Sequence, residues 1–172
     1  MPEAAQLKAV PSFLPYGRQE IDEVDLRAVA EALTSGWLTT GPRVGEFEKA
    51  FAAHCGAARA VAVNSGTAAL HCAMRALGVK PGDEVIVPAL TFAASANAAL
   101  YEGATPVFAD VEPDTLLIDP VSAAARITPR TRAIVAVDYA GQPADYDALR
   151  ELTKGRDIRL VADACHCPGA TY

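Results

Sequence analysis

Basic charge is scarce in this chain: 15 Lys and Arg stand against 21 Asp and Glu, a net charge of −6 over 172 residues. The cations are scattered singly, so the chain has no electrostatic footprint for a nucleic acid. Long apolar runs are also missing. No window is apolar enough to span a bilayer, and Pro11, Pro15 and Arg18 interrupt the stretch where a secretory signal would need continuity. A cytoplasmic protein is expected. Cysteine is limited to Cys55, Cys72, Cys165 and Cys167, and without a secretory signal these read as reduced thiols, not a disulfide framework. No internal repeat or low-complexity segment occurs. Hydrophobic residues nevertheless make up 51% of the chain, enough to bury a substantial core. The balance fits a protein that acts on small molecules.

Residues 1–20 are punctuated by proline and read as an extended N-terminal arm. Asp22 can then cap a helix whose Leu26, Val29, Ala30 and Leu33 share one face, ending at Gly36. A second amphipathic helix is expected near 43–54, and Trp37-Leu38-Thr39-Thr40-Gly41-Pro42 forms the loop between them. From residue 59 short apolar strands alternate with helices. Strands are expected near 60–64, 84–88, 105–109, 133–137 and 159–162, and helices near 67–77, 92–102, 120–126 and 144–153. Runs such as Ala133-Ile134-Val135-Ala136-Val137 suit a parallel sheet covered on both faces, which makes this an α/β three-layer domain. In such sheets ligands gather at the carboxyl ends of the strands.

Three features fall at such ends. In Val61-Ala62-Val63-Asn64-Ser65-Gly66-Thr67-Ala68 an apolar strand turns through small residues into a helix. The first amides of a helix lack intrahelical partners and the macrodipole is positive there, so the junction can hold a phosphate or be a plain N-cap. It lacks the lysine of a nucleotide P-loop and the three spaced glycines of a dinucleotide fingerprint. Asp163 ends Arg159-Leu160-Val161-Ala162, where a buried carboxylate needs a cation or donors. It reads as a cap, a structural ion pair, or the group that holds a protonated ring nitrogen, as pyridoxal phosphate (PLP) requires. Phe92 follows another strand end and reads as core or as a stacking surface for a planar ring. Cys165-His166-Cys167 is not read as a metal site, because adjacent residues converge poorly on one tetrahedral ion and no second ligand pair exists.

Several blocks, in order, resemble the DegT/DnrJ/EryC1/StrS family of PLP-dependent nucleotide-sugar aminotransferases. They are Gly36-Trp37-Leu38-Thr39-Thr40-Gly41-Pro42, Asn64-Ser65-Gly66-Thr67-Ala68-Ala69-Leu70, Pro81-Gly82-Asp83-Glu84-Val85-Ile86, Gly103-Ala104-Thr105-Pro106-Val107-Phe108-Ala109-Asp110-Val111 and Asp163-Ala164-Cys165-His166. The resemblance implies the large domain of the fold type I PLP-dependent transferases, three-layer α/β/α and truncated, with residues 21–172 as its N-terminal part. It implies that Gly66, Thr67 and Ala68 serve the cofactor phosphate, that Phe92 stacks on the ring, that Asp163 binds the pyridine nitrogen and that His166 lies near the ring hydroxyl. Tyr16, Trp37, Leu38, Thr39 and Ser65 would line the sugar-nucleotide side.

Within the family, Leu14-Pro15-Tyr16-Gly17-Arg18-Gln19, Ala94-Ser95-Ala96-Asn97 and Val137-Asp138-Tyr139-Ala140-Gly141-Gln142-Pro143 are most similar to members that form UDP-4-amino-4,6-dideoxy-N-acetyl-β-L-altrosamine. These pass an amino group from L-glutamate to a UDP-linked 4-keto-6-deoxy-N-acetyl sugar on the way to pseudaminic acid. The UDP-4-amino-4-deoxy-L-arabinose group is the near alternative, and sugar dehydration by a family relative or a binding-only role are the others. The family's Schiff-base lysine follows the Asp163 motif, and Lys8, Lys49, Lys80 and Lys154 all lie in other contexts. The resemblance therefore implies that this lysine lies beyond Tyr172, that the chain is a fragment inactive alone, and that the full-length enzyme is a homodimer.

Overall fold

The computed structural model describes residues 18–172, which fall into two units, one reaching to Glu46 and one from Phe47 to Tyr172. In the first unit α1 spans Glu23–Thr34. It starts at a capping box: the Asp22 carboxylate accepts from the Val24 and Asp25 amides, and the Asp25 side chain accepts from the Asp22 amide. Ser35 caps its far end, one residue before the expected Gly36. No residue of α1 is buried; Leu26, Val29 and Leu33 are all exposed. α2, Pro42–His54, begins in this unit and continues into the next. Of the arm expected over 1–20, residues 1–17 fall outside the described residues.

The second unit is built on four parallel strands in the order β2-β1-β3-β4, with β1 at Glu84–Pro88, β2 at Thr105–Ala109, β3 at Thr131–Val137 and β4 at Arg159–Asp163. The helices between them are α3 (Gly66–Ala76), α4 (Ala93–Tyr101), α5 (Pro120–Ala125) and α6 (Tyr146–Thr153). Side chains alternate along a strand, and the central pair buries both sets. Val85, Val87, Ala133, Val135 and Val137 pack with Leu70 and Met74 of α3 and with Ala94, Ala98 and Ala99 of α4. Ile86, Ile134 and Ala136 pack on the other face with Ala123 of α5 and Leu149 of α6. That is the expected three-layer α/β/α arrangement. Edge strand β2 carries Pro106 opposite Val85, a residue without a donor and tolerated at a sheet edge.

The expected strand at 60–64 is the exception. These residues have no regular secondary structure and pair with none of the four strands. An extended segment becomes a strand only when a neighbour supplies acceptors and donors. Here the Ala62 amide donates to the Glu48 carboxylate at 2.9 Å, and Val61 is 80% exposed.

Ile134→Ala is expected to lower unfolding free energy by about 2–5 kcal/mol through the cavity it leaves at a fully buried site. Val121→Ala, at an exposed position of α5, should stay within about 0.5 kcal/mol. Urea unfolding of the two variants and the parent measures both.

Candidate functional site

Asp163 closes β4 and is 7% exposed. A carboxylate so buried must be met by donors. The Ser95 hydroxyl, fully buried in the first turn of α4, donates to Oδ2 at 2.8 Å. Thr91 Oγ1 lies 2.8 Å from Ser95 Oγ. The Cys165 thiol also bonds to the Asp163 carboxylate. That bond, helped by burial and by the carboxylate's charge, pushes the thiol up to about 11. Among the described residues no lysine or arginine forms an ion pair with Asp163. Its identified donors are a neutral hydroxyl and a neutral thiol.

The start of α3 lies against the same loop. A Cβ on Gly66 would stand 3.1 Å from Cys165 Sγ, so the missing side chain is what lets the thiol approach the helix. Ser65 is the N-cap, its Oγ accepting from the Ala68 amide at 3.1 Å, and Ala69 makes the first backbone bond, to Ser65 O. Among the described residues the Gly66 and Thr67 amides have no acceptor, which leaves two donors at the positive end of the helix. Phe92, just before α4, is 78% exposed. The core reading of this residue therefore fails: Phe92 presents a bare aromatic surface at the carboxyl end of β1.

His166 lies in the exposed loop after β4, its ring edge-on to Tyr139 with centroids 6.2 Å apart. The Tyr139–Gly141 turn holds Ala140 at φ 55°, in the left-handed region, and Gly141 O accepts from Cys167 Sγ at 3.3 Å. Burial first, then the Asp138 charge, pushes the Cys167 thiol up. Asp138 is 5% exposed and accepts from the Ala144 amide at 2.9 Å and the Tyr146 hydroxyl at 2.7 Å. Burial and that carboxylate together push the Tyr146 phenol far up.

Of the residues expected on the sugar-nucleotide side, Ser65 stands at the start of α3 beside this edge, while Trp37, Leu38 and Thr39 are exposed in the first unit and Tyr16 lies outside the described residues. The turn there is tight: a Cβ on Gly41 would meet Trp37 Cβ at 2.7 Å. Sequence reasoning gave no role to Ser95, Thr91, Cys165 or Asp138. The available signal for Ser95 was a hydroxyl on a helix face that otherwise buries only alanine.

Lys80 and Lys154 are exposed in loops that precede β1 and β4, at the opposite edge of the sheet, and Lys49 is exposed on α2. That opposite edge also holds a groove of about 450 Å³ lined by Arg130, Arg132 and Arg156. Arg130 is engaged with Glu84 and Arg132 with Asp157. Hydrogen bonding from Thr128, and then from Arg130, holds the Glu84 carboxyl below its usual range against the opposing effect of burial. Among the described residues no cluster of His, Cys, Asp and Glu has the arrangement to hold a metal ion, and no helix is long and apolar enough to cross a membrane.

The model of the DegT/DnrJ/EryC1/StrS aminotransferase family matches residues 19–172. The spore coat polysaccharide biosynthesis protein SpsC of Bacillus subtilis (strain 168) is 49% identical over 160 residues, which is 93% of this chain and 41% of SpsC. The crystal structure of S. venezuelae DesV in complex with a ketimine intermediate is 47% identical with a TM-score of 0.82, over 85% of this chain and 39% of DesV. The structure of GDP-4-keto-6-deoxymannose-3-dehydratase with a trapped PLP-glutamate geminal diamine is 33% identical with a TM-score of 0.86, over 92% of this chain and 42% of that one. The chain thus spans about two fifths of the length of these proteins.

Removing the charge beside Cys165 should release its thiol. With a thiol raised to about 11, little thiolate is present at pH 8; Asp163→Asn removes the charge and its hydrogen bond but leaves the burial, so the thiol should fall part of the way back and the thiolate fraction should rise by about tenfold or more. Iodoacetamide alkylation of Cys165, read by peptide mass spectrometry against pH, is expected to accelerate accordingly in the variant.

Proposed function

The chain belongs to the DegT/DnrJ/EryC1/StrS aminotransferase family, and from that membership we propose that it builds the cofactor-holding edge of a PLP-dependent sugar aminotransferase. The reaction proposed for the whole protein is transfer of the amino group of L-glutamate to the C4 ketone of a UDP-linked 4-keto-6-deoxy-N-acetyl sugar, in the direction of pseudaminic acid. A cytoplasmic homodimer is the proposed setting. The observation that carries the reading is Asp163: a buried carboxylate with a hydroxyl and a thiol as donors, no lysine or arginine among the described residues in an ion pair with it, and a helix start and a bare aromatic ring at the same edge. A protonated aromatic nitrogen would complete that donor set, so the residues present suit the cofactor.

Pyridoxal phosphate, when bound, supplies a conjugated ring that takes up the electron pair released when a C–H bond beside nitrogen is broken. Asp163 accepts the hydrogen bond of the ring N–H and keeps the proton on that nitrogen. Gly66, Thr67 and Ala68 are assigned to the phosphate at the start of α3, with the first two as its donors and Ala68 lending only a small side chain. The Gly66 and Thr67 amides and the Thr67 hydroxyl donate, whereas the Ala68 amide is engaged by Ser65. Phe92 covers one face of the ring and excludes water from it, and His166 serves the ring hydroxyl. Tyr16, Trp37, Leu38, Thr39 and Ser65 are assigned to the nucleotide sugar. None of Lys8, Lys49, Lys80 and Lys154 is assigned the Schiff base.

Sugar dehydration is a second reading, favoured by the likeness to GDP-4-keto-6-deoxymannose-3-dehydratase. Incubating the whole protein with PLP, ¹⁵N-glutamate and the UDP-4-keto-6-deoxy-N-acetyl sugar separates the two. Transamination yields 2-oxoglutarate and a sugar carrying ¹⁵N, while dehydration yields a deoxygenated sugar without the label.

Asp163→Ala should lower kcat by about 10²–10³ or more with the fold retained, because the site loses the charge that holds the ring proton. Thr67→Val should weaken PLP retention by about 10–100-fold, the worth of one hydrogen bond to a charged group. Steady-state kinetics tests the first, and equilibrium dialysis of PLP the second.

A further inference from the structure

Ser95 stands on a face of α4 whose other buried members are Ala94, Ala98 and Ala99, and its hydroxyl carries one proton. An ionised carboxylate can only accept, so that proton goes to Asp163 Oδ2, 2.8 Å away. Thr91 Oγ1, 2.8 Å from Ser95 Oγ, must then be the donor in that contact. The direction of the chain is set: Thr91 donates to Ser95, and Ser95 donates to Asp163. We propose that Ser95, held by Thr91, is a positioning residue that fixes the plane of the Asp163 carboxylate and so aims it at the ring nitrogen of the bound cofactor. This rests on the cofactor reading above.

The need for such a device follows from the side chain itself. The terminal torsion of aspartate is broad, and Cys165, two residues further on, sits in the exposed loop after β4 and offers only a weak thiol donor. Ser95 supplies the restraint from a different element, the helix that follows β1, 68 residues away in sequence. A group that must meet a cofactor in one orientation gains from a hydroxyl whose own rotor is locked by a further bond. Ser95 and Thr91 would touch no substrate; they act through Asp163.

The test is a binding comparison that needs no turnover. Pyridoxamine phosphate and its analogue with CH in place of the ring nitrogen, 1-deaza-pyridoxamine phosphate, are titrated by equilibrium dialysis into the whole protein and into its Ser95→Ala and Thr91→Val variants, with circular-dichroism melting of each. The parent should prefer pyridoxamine phosphate by about tenfold or more, the range of a charge-assisted hydrogen bond. Ser95→Ala should lose most of that preference while binding the analogue as the parent does. Thr91→Val should lose part of it. Equal losses for both ligands would make Ser95 merely structural, and an undiminished preference would overturn the positioning role alone. A parent that binds neither compound, or both equally, overturns the cofactor reading and this inference with it. If Ser95→Ala melts far below the parent, Thr91→Val, which leaves α4 intact, decides between the same outcomes.

Discussion

The two central strands are buried on both faces, and this constraint orders the rest of the second unit. Val85 and Val87 face one helical layer while Ile86 faces the other, and β3 repeats the division with Val135 and Ile134. No polar side chain can sit within such a strand without losing water on both sides. Chemistry is therefore pushed to the tips, where the chain leaves the sheet. The two tips are used differently. At the amino-terminal edge Glu84 is matched by arginine and threonine donors, and two of the arginines that border the groove there, Arg130 and Arg132, are already engaged. At the carboxyl-terminal edge Asp163 is met by a hydroxyl and a thiol.

That contrast separates a satisfied structural carboxylate from one that retains capacity. Glu84 has a guanidinium beside it; Asp163 has donors that solvate its charge, and no arginine or lysine among the described residues balances it. The elements around Asp163 come from well-separated stretches of chain: Ser95 from α4, Gly66 from the start of α3 and Cys165 from the loop after β4. Parallel connections bring such distant segments to one edge, because each strand restarts from the opposite side of the sheet. A tight network assembled from two helix starts and a loop is stable only when the sheet beneath it is rigid.

Much of this fold was legible in the order of residues. Runs such as Ala133–Val137 can be buried on both faces only in a sheet with helices on either side, and the regular return of helix between strands implies parallel order. The reading failed at 60–64, where an apolar run is necessary for a strand but a pairing partner is also required, and composition does not reveal partners. For the candidate site, Asp163, Gly66 and Phe92 were visible because each sits at a conspicuous junction. Ser95 and Cys165 were not, since their importance lies in what they touch across the fold, and a serine in the first turn of a helix looks like an ordinary surface residue until the sheet packs against it.

Pro106 gives the sheet a direction. Edge strand β2 carries a residue with no amide hydrogen and with a ring that crowds its flank, so a further strand approaching there meets an interrupted row of donors. β4, at the other margin, has no proline in Arg159–Asp163 and presents an unbroken backbone row. The two margins of the sheet thus differ, and the one that carries Asp163 is the better template for a further strand.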